Sequence, residues 1–355
     1  MGPKRSYSAL STQHCGVHFA SLRRALQIIS IALLTILLLA VFLWNSNLRD
    51  VWRILKSTSM AWFALGLLTN FTALIFRTIR WRALLDVDRP PPFYPTFFAL
   101  TTGYMLSTVL PIRAGDVARP ALLARRTDIR FATALGTVLT ERIVDLVAII
   151  LVYVYYCVKH WNDFTNGRAV VQDGAIGASA VLVALLFVTV GIFFFRERVR
   201  LLHGWIGGIV PKRFREPWMK FFDSFTRSLD IARHPLALLK VLLCTAAIWF
   251  CLTAQFWLVM IAAHRPLDFD TSFFICGVTT IGLAIPTPGG VGGFHKICQY
   301  VLTTFYKFDI DSSVAVTVLL HIVGTIPVVL TGLLLFLREG LNWKQLKEQT
   351  RADES

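Results

Sequence analysis

Three short stretches hold the residues whose types and spacing could do chemistry. LTERIVDL (139–146) puts Glu141, Arg142 and Asp145 inside an otherwise apolar run. Glu141 and Asp145 are four apart and share a helical face, while Arg142 lies about 100° around from Glu141. Charges in an apolar span are costly, so they face a bundle interior or a wet cavity and pair with one another. The trio is either an ion-pair lock that fixes helix packing or a polar pocket on a path through the protein. LPIRAGDVAR (110–119) adds Arg113, Gly115, Asp116 and Arg119. Asp116 and Arg119, three apart, suit pairing on a short helix that starts after Gly115. An arginine there also offers a planar two-pronged grip to a phosphate or carboxylate. A helix N-terminus would add free N–H groups and a favourable dipole. The plainer alternative is a basic loop, which is the reading for Arg125, Arg126 and Arg130.

PTPGGVGGFHK (286–296) has no carboxylate. Its Pro286, Gly289, Gly290 and Gly292 mark backbone that turns tightly or approaches another element closely. Non-helical backbone at membrane depth is tolerated only where it is buried or lines a cavity. His295 and His321 are either ligand contacts and proton carriers or ordinary hydrogen-bonded histidines. No GxxxxGK[ST], HExxH or GxSxG string is present, so neither a cofactor, a metal nor an enzyme site is expected.

These stretches need elements to position them, and composition says which kind. The chain has 355 residues, of which 55% are hydrophobic and 16% charged. Soluble domains carry roughly a quarter charged residues. An all-α polytopic membrane protein is the expected fold class. Full spans are expected near 25–44, 60–76, 131–158, 175–195, 236–262 and 313–337, each long enough to cross a bilayer. The first follows Arg23 and Arg24, but its apolar core is too long for a signal peptide. Six cysteines without a CxxC pair read as small buried hydrophobes. The net charge of +15 fits basic loops facing anionic lipid and not nucleic acid.

Two further apolar stretches, 93–110 and 271–285, are short and run into LPIRAG and IPTPGGVGG. If both are re-entrant, the cytoplasmic pieces are 1–24, 77–92, 111–130, 196–234 and 338–355. They then hold 26 Lys and Arg against 8 in the outer pieces, as the positive-inside bias requires. Both termini are then cytoplasmic, as tails 1–24 and 339–355 around a membrane domain 25–338. Pro111 and Pro286, like Gly115 and Gly290, are 175 residues apart. The same shift carries 60–76 onto 235–251 and 131–158 onto 306–333. The unit of span, re-entrant segment and span therefore occurs twice, in halves of about 60–158 and 236–337 with opposite orientation. Matching interrupted segments in an inverted repeat point to a transport site between the halves. The connector 196–234 contains an amphipathic stretch, 212–233, suited to the cytoplasmic lipid surface.

In order, LPIRAGDVARPALLARR, ATALGTVLTERIVDL and IPTPGGVGGFH resemble the lysylphosphatidylglycerol synthase transmembrane region, or flippase-like, family. The resemblance covers nearly the whole chain. It implies a lipid flippase or transporter of the inner plasma membrane. It also implies that Gly115, Asp116, Arg119, Glu141, Arg142, Asp145, Gly289, Gly290 and Gly292 line the path of a lipid head group. Asp116 stands where the family usually has glutamate, and His295 where a carboxylate is common. The soluble aminoacyl-transferring domain is not expected here. Alternatives are a non-catalytic membrane subunit that anchors a lipid-synthesis enzyme and a membrane-embedded transferase. A homodimer is compatible with any of them.

Overall fold

The computed structural model describes residues 29–30, 33–86, 89–110, 114–160, 215–216, 219, 231, 234–282 and 287–339. The expected span 175–195 and nearly all of the amphipathic stretch 212–233 lie outside them, as do Pro111, Arg113 and Pro286. The described residues are helical throughout: α1 (Leu33–Leu43), α2 (Leu48–Ser57), α3 (Met60–Leu85), α4 (Phe93–Val109), α5 (Gly115–Ala124), α6 (Phe131–Lys159), α7 (Pro235–Ala262), α8 (Phe269–Gly282), α9 (Gly293–Thr304) and α10 (Ile310–Arg338). A 3-10 turn, Pro288–Gly290, precedes α9.

Local chemistry explains most boundaries. Asn47 caps α2 by accepting from the Arg49 N–H at 3.1 Å. α3 contains no proline and ends at extended Asp86, shortly before the run Pro90–Pro92, which cannot continue a helix. Asp309 caps α10 by accepting from the Ser312 N–H at 2.8 Å. α3, α7 and α10 are long and apolar enough to cross a membrane. α1 and α2 form a further candidate span bent by 83°. α6 has the same 29 residues as α10 but carries the Glu-Arg-Asp trio.

The burial pattern is that of a membrane protein. Leu236, Leu239, Leu242, Leu243 and Phe250 of α7 are exposed, while Thr245, Thr253 and Gln255 of the same helix are buried. In water such an apolar face would be a liability; against lipid tails it costs nothing. Several buried threonines turn their hydroxyls back onto carbonyls four residues earlier, as Thr78 does to Leu74 at 2.8 Å and Thr245 to Val241 at 2.8 Å, which satisfies those polar groups within the helix.

The centre of the fold is the pair α3 and α7, which cross antiparallel. The Ser59 N–H donates to the Ala262 carbonyl at 2.9 Å, Gly66 packs on the Gln255 backbone, Arg80 meets Thr245, and Leu84 shares a cluster with Val241. Asn70 ties three helices together: its amide donates to Gln255 Oε1 at 3.0 Å and to the Val323 and Gly324 carbonyls of α10.

Around this pair the order long helix, shorter helix, short helix, long helix appears twice, as α3–α6 and as α7–α10. Each packing pair in one set has its counterpart in the other: α4 lies on α5 and α8 on α9, and α10 packs on α4 as α6 packs on α8. The 175-residue shift holds for the first helices, since Met60 and Pro235 open them. It drifts to the last pair, because α10 opens at Ile310 rather than near 306, about one helical turn later.

Both short-helix pairs depend on glycine contacts. A Cβ on Gly115 would collide with the Gly103 carbonyl and Ser107 Oγ; one on Gly282 would stand 2.8 Å from the Gly293 carbonyl. Gly293, and not Gly290, is thus the packing counterpart of Gly115. Gly290 closes the 3-10 turn three residues earlier, with φ +69°.

Candidate functional site

The charged residues of α6 meet those of α3 and α5 in one buried network. Arg80 of α3 grips Asp145 with both nitrogens, Nη1 to Oδ1 at 2.5 Å and Nη2 to Oδ2 at 3.1 Å, and its Nη1 also donates to Thr245 Oγ1 of α7 at 3.2 Å. Its Nε lies 3.8 Å from Glu141 Oε1. Glu141 Oε2 accepts from Arg119 Nη2 of α5 at 2.5 Å, and the side chains of Arg119 and Glu141 are 0% and 2% exposed. Arg142 donates to Asp116 Oδ1 at 2.7 Å, with both side chains part-exposed. The sharing of one face by Glu141 and Asp145 is what lets a single arginine, Arg80, reach both.

Aromatic rings close the network. The Arg119 guanidinium stands 5.1 Å from the Trp81 ring and 5.4 Å from Tyr104, and its Nη1 lies 3.4 Å from the Tyr104 hydroxyl. Trp81 is held by its own indole N–H, which donates to Thr137 Oγ1 at 2.9 Å. Arg77, one turn before Arg80 on α3, places its guanidinium 5.2 Å from the centroid of the Tyr104 ring.

Two expectations need correction. Asp116 and Arg119 do not pair with each other, although their spacing allows it. α5 packs on α6, and two carboxylate–guanidinium bonds to α6 replace one exposed intrahelical pair of small value. Residues 77–85 are not a loop after the span but its helical continuation: α3 runs to Leu85, and Arg80 is 1% exposed. Arg77, Arg80, Trp81 and Tyr104 are therefore members of the network that sequence reasoning missed. The available signal was the i, i+3 spacing of Arg77 and Arg80 within a run free of Gly and Pro.

The glycine-rich element approaches the same region. Gly289 packs against Thr108 near the end of α4, so the turn Pro288–Gly290 lies against that helix. Gly292 has φ +97°, and a Cβ there would run into Leu38 of α1, which makes glycine obligatory. His295 Nδ1 accepts from the Gly292 N–H at 3.3 Å, and its ring centroid lies 4.6 Å from that of His321. His295 thus fixes the start of α9 and is not in the ion network. No group of His, Cys, Asp and Glu among the described residues could hold a metal ion. Cys157, Cys244, Cys251, Cys276 and Cys298 are buried. A cavity of about 550 Å³ lined by Trp44, Lys296 and Tyr300 among others lies away from the network, at the edge of α1 and α9.

Polar clasps fasten the two ends of the molecule. Asp270, at the start of α8, receives Lys159 at 2.5 Å and His160 at 3.2 Å from the end of α6. Partial burial pushes the Asp270 carboxyl up, but these donors hold it below the usual range. Glu339, just past α10, accepts from Arg126 at 2.9 Å and from the Tyr94 hydroxyl at 2.7 Å; the Arg126 bond and then the Tyr94 bond keep its carboxyl low. Because α3 and α7 are antiparallel, Asp270 follows the end of α7 beside Ser59, whereas Tyr94 follows the end of α3 beside the start of α7. The clasps are at opposite ends.

The family model for the lysylphosphatidylglycerol synthase TM region matches residues 27–332, which takes in every residue of the network and of the glycine-rich element. The chain is also similar to UPF0104 membrane protein MJ1078 of Methanocaldococcus jannaschii, with 23% identity over 234 residues, covering 65% of this chain and 92% of that protein.

Proposed function

The chain belongs to the lysylphosphatidylglycerol synthase TM region family, and from that premise we propose that it moves a lipid with an anionic head group across the inner plasma membrane. The observation that carries this is the buried network of Arg80, Arg119, Arg142, Asp116, Glu141 and Asp145. It lies where α3, α5, α6 and α7 converge, deep inside a protein whose outer faces are apolar. Charge at that depth suits a polar head group on a path.

The architecture that goes with this reading has six full spans, two re-entrant hairpins and cytoplasmic termini. The membrane domain is 25–338, and its halves are an inverted repeat joined through 196–234. The antiparallel crossing of α3 and α7, and the matching packing of the two sets, support the inversion. α4 rises about 25 Å and α8 about 21 Å, short of a hydrocarbon core of about 30 Å, which supports re-entry at 110–114 and 283–287. The clasps at Asp270 and Glu339 are the closures of the two ends, opened in turn as one half rocks against the other. The chain acts without enzymatic chemistry or a cofactor, passively or coupled to an ion gradient. An enzyme of lipid synthesis that delivers the cargo is the partner in this scheme, and a homodimer is compatible with it.

The test is transport in reconstituted vesicles. Fluorescent phosphatidylglycerol in the inner leaflet should become accessible to a membrane-impermeant quencher faster than in protein-free vesicles. A rate at background, with protein shown to be folded, sinks the proposal.

A further inference from the structure

We propose that Arg77 is the residue that grips the cargo, and that the cargo is a phosphodiester lipid whose head group carries no cation of its own and so has a net charge of −1. This rests on the transport reading above and names the substrate class of the same site.

Four guanidiniums, those of Arg77, Arg80, Arg119 and Arg142, converge on three carboxylates, those of Asp116, Glu141 and Asp145. Three arginines are committed. Arg80 is bound twice by Asp145, Arg119 by Glu141 and Arg142 by Asp116. Arg77 has no carboxylate or hydrogen-bond partner among the described residues; its one contact is the face of Tyr104. A ring face compensates a guanidinium far less than a carboxylate does, so the network carries an excess of one positive charge.

The position of Arg77 suits a ligand contact. It is part-exposed, unlike Arg80 and Arg119 at 1% and 0%. It lies between the halves, touching Tyr104 of α4 and within electrostatic reach of Asp145 on α6 and Cys276 on α8. All of its donors are free, so it presents the planar fork that matches two phosphate oxygens. Nearby capacity also remains: Arg80 Nε, Arg119 Nε and Glu141 Oε1 are buried without a hydrogen-bond partner. A phosphodiester head group with no cation of its own neutralises the single excess charge; a net-cationic head group would add to it. Arg119, sealed against Glu141, Trp81 and Tyr104, is a positioning residue that holds the Tyr104 ring in place.

The experiment measures binding, apart from transport. The full chain in neutral detergent is titrated with phosphatidylglycerol, phosphatidylcholine or inorganic phosphate, and ligand protection against thermal unfolding is read. Wild type is expected to be protected by phosphatidylglycerol at concentrations at least tenfold below those needed for phosphatidylcholine. Arg77→Gln is expected to erase that preference. Equal response of wild type to both lipids, an undiminished preference in Arg77→Gln, or equal protection by inorganic phosphate overturns the proposal. Should Arg77→Gln not fold, Arg77→Lys keeps the charge and loses the fork. It is expected to weaken phosphatidylglycerol protection several-fold, and unchanged protection overturns the proposal. Arg77-dependent binding without vesicle transport would retire the transport reading and leave this site standing, whereas transport of phosphatidylglycerol undiminished in Arg77→Gln would do the reverse.

Discussion

Replacing Glu141 by glutamine removes one charge, keeps the shape, and tests whether the network is a buried lock. Glu141 faces Arg119 at 2.5 Å and Arg80 at 3.8 Å, with side-chain exposures of 2%, 0% and 2%. Its loss leaves Arg119 without a carboxylate where water cannot reach it, and weakens the field holding Arg80. Breaking a buried pair by removing one partner costs about 3–5 kcal/mol. Asp116→Asn is the control on the same network. That pair is 24% and 37% exposed, so water replaces much of what is lost and the cost is about 0–1 kcal/mol. Equilibrium unfolding in mixed detergent micelles, followed by tryptophan emission, measures both. The double change Arg119→Met with Glu141→Met is expected to recover most of the loss, because an apolar pair of similar volume is often as stable as the buried ions it replaces, and Arg80 keeps Asp145. If Glu141→Gln is within about 1 kcal/mol of Asp116→Asn, the reasoning from burial is wrong.

Other consequences are equally direct. Asn70→Leu strands Gln255 Oε1 and two α10 carbonyls and should cost about 1–3 kcal/mol in the same unfolding measurement. Gly115→Ala must part α4 from α5, since its Cβ would overlap the Gly103 carbonyl, and is expected to abolish the folded, monodisperse protein on size exclusion. Gly277→Ala, whose Cβ would meet only Ile149 at 4.0 Å, should be silent. The clasp at Asp270 has a carboxyl held below its usual value, so its stabilisation is present above about pH 4 and is lost as pH falls through the lowered value. The stability gap between wild type and Asp270→Asn should therefore close on acidification below about pH 4. A gap that persists or widens there contradicts the assignment.

The sequence disclosed the network in halves. Glu141, Arg142 and Asp145 stand out because nothing else in α6 is charged before Lys159, and the interrupted elements stand out because proline and glycine end apolar runs. Arg77 and Arg80 did not, since a hydropathy reading ends the span where arginines begin. The burial of Arg80 depends on Asp145 and Glu141, more than sixty residues away in the chain, and no local rule sees that. The pairing of Asp116 with Arg119 failed for the related reason that a tertiary partner outcompetes a local one once α5 lies on α6. The 175-residue spacing matched the openings of α3 and α7 at Met60 and Pro235. Its register at Gly293 was not, because the packing glycine and the turn glycine are different residues.

The antiparallel crossing of α3 and α7 also sets a timetable for biogenesis. Arg80 leaves the ribosome 65 residues ahead of Asp145, and Asn70 is 185 residues ahead of Gln255. At about 5–20 residues per second, Asn70 waits on the order of ten to forty seconds for its bonding partner. Helix α3 is therefore made before the groups that its buried polar side chains pair with. A truncation before α7 should yield a nascent product that is degraded and not inserted, although α3 by itself has the length and hydropathy of a span.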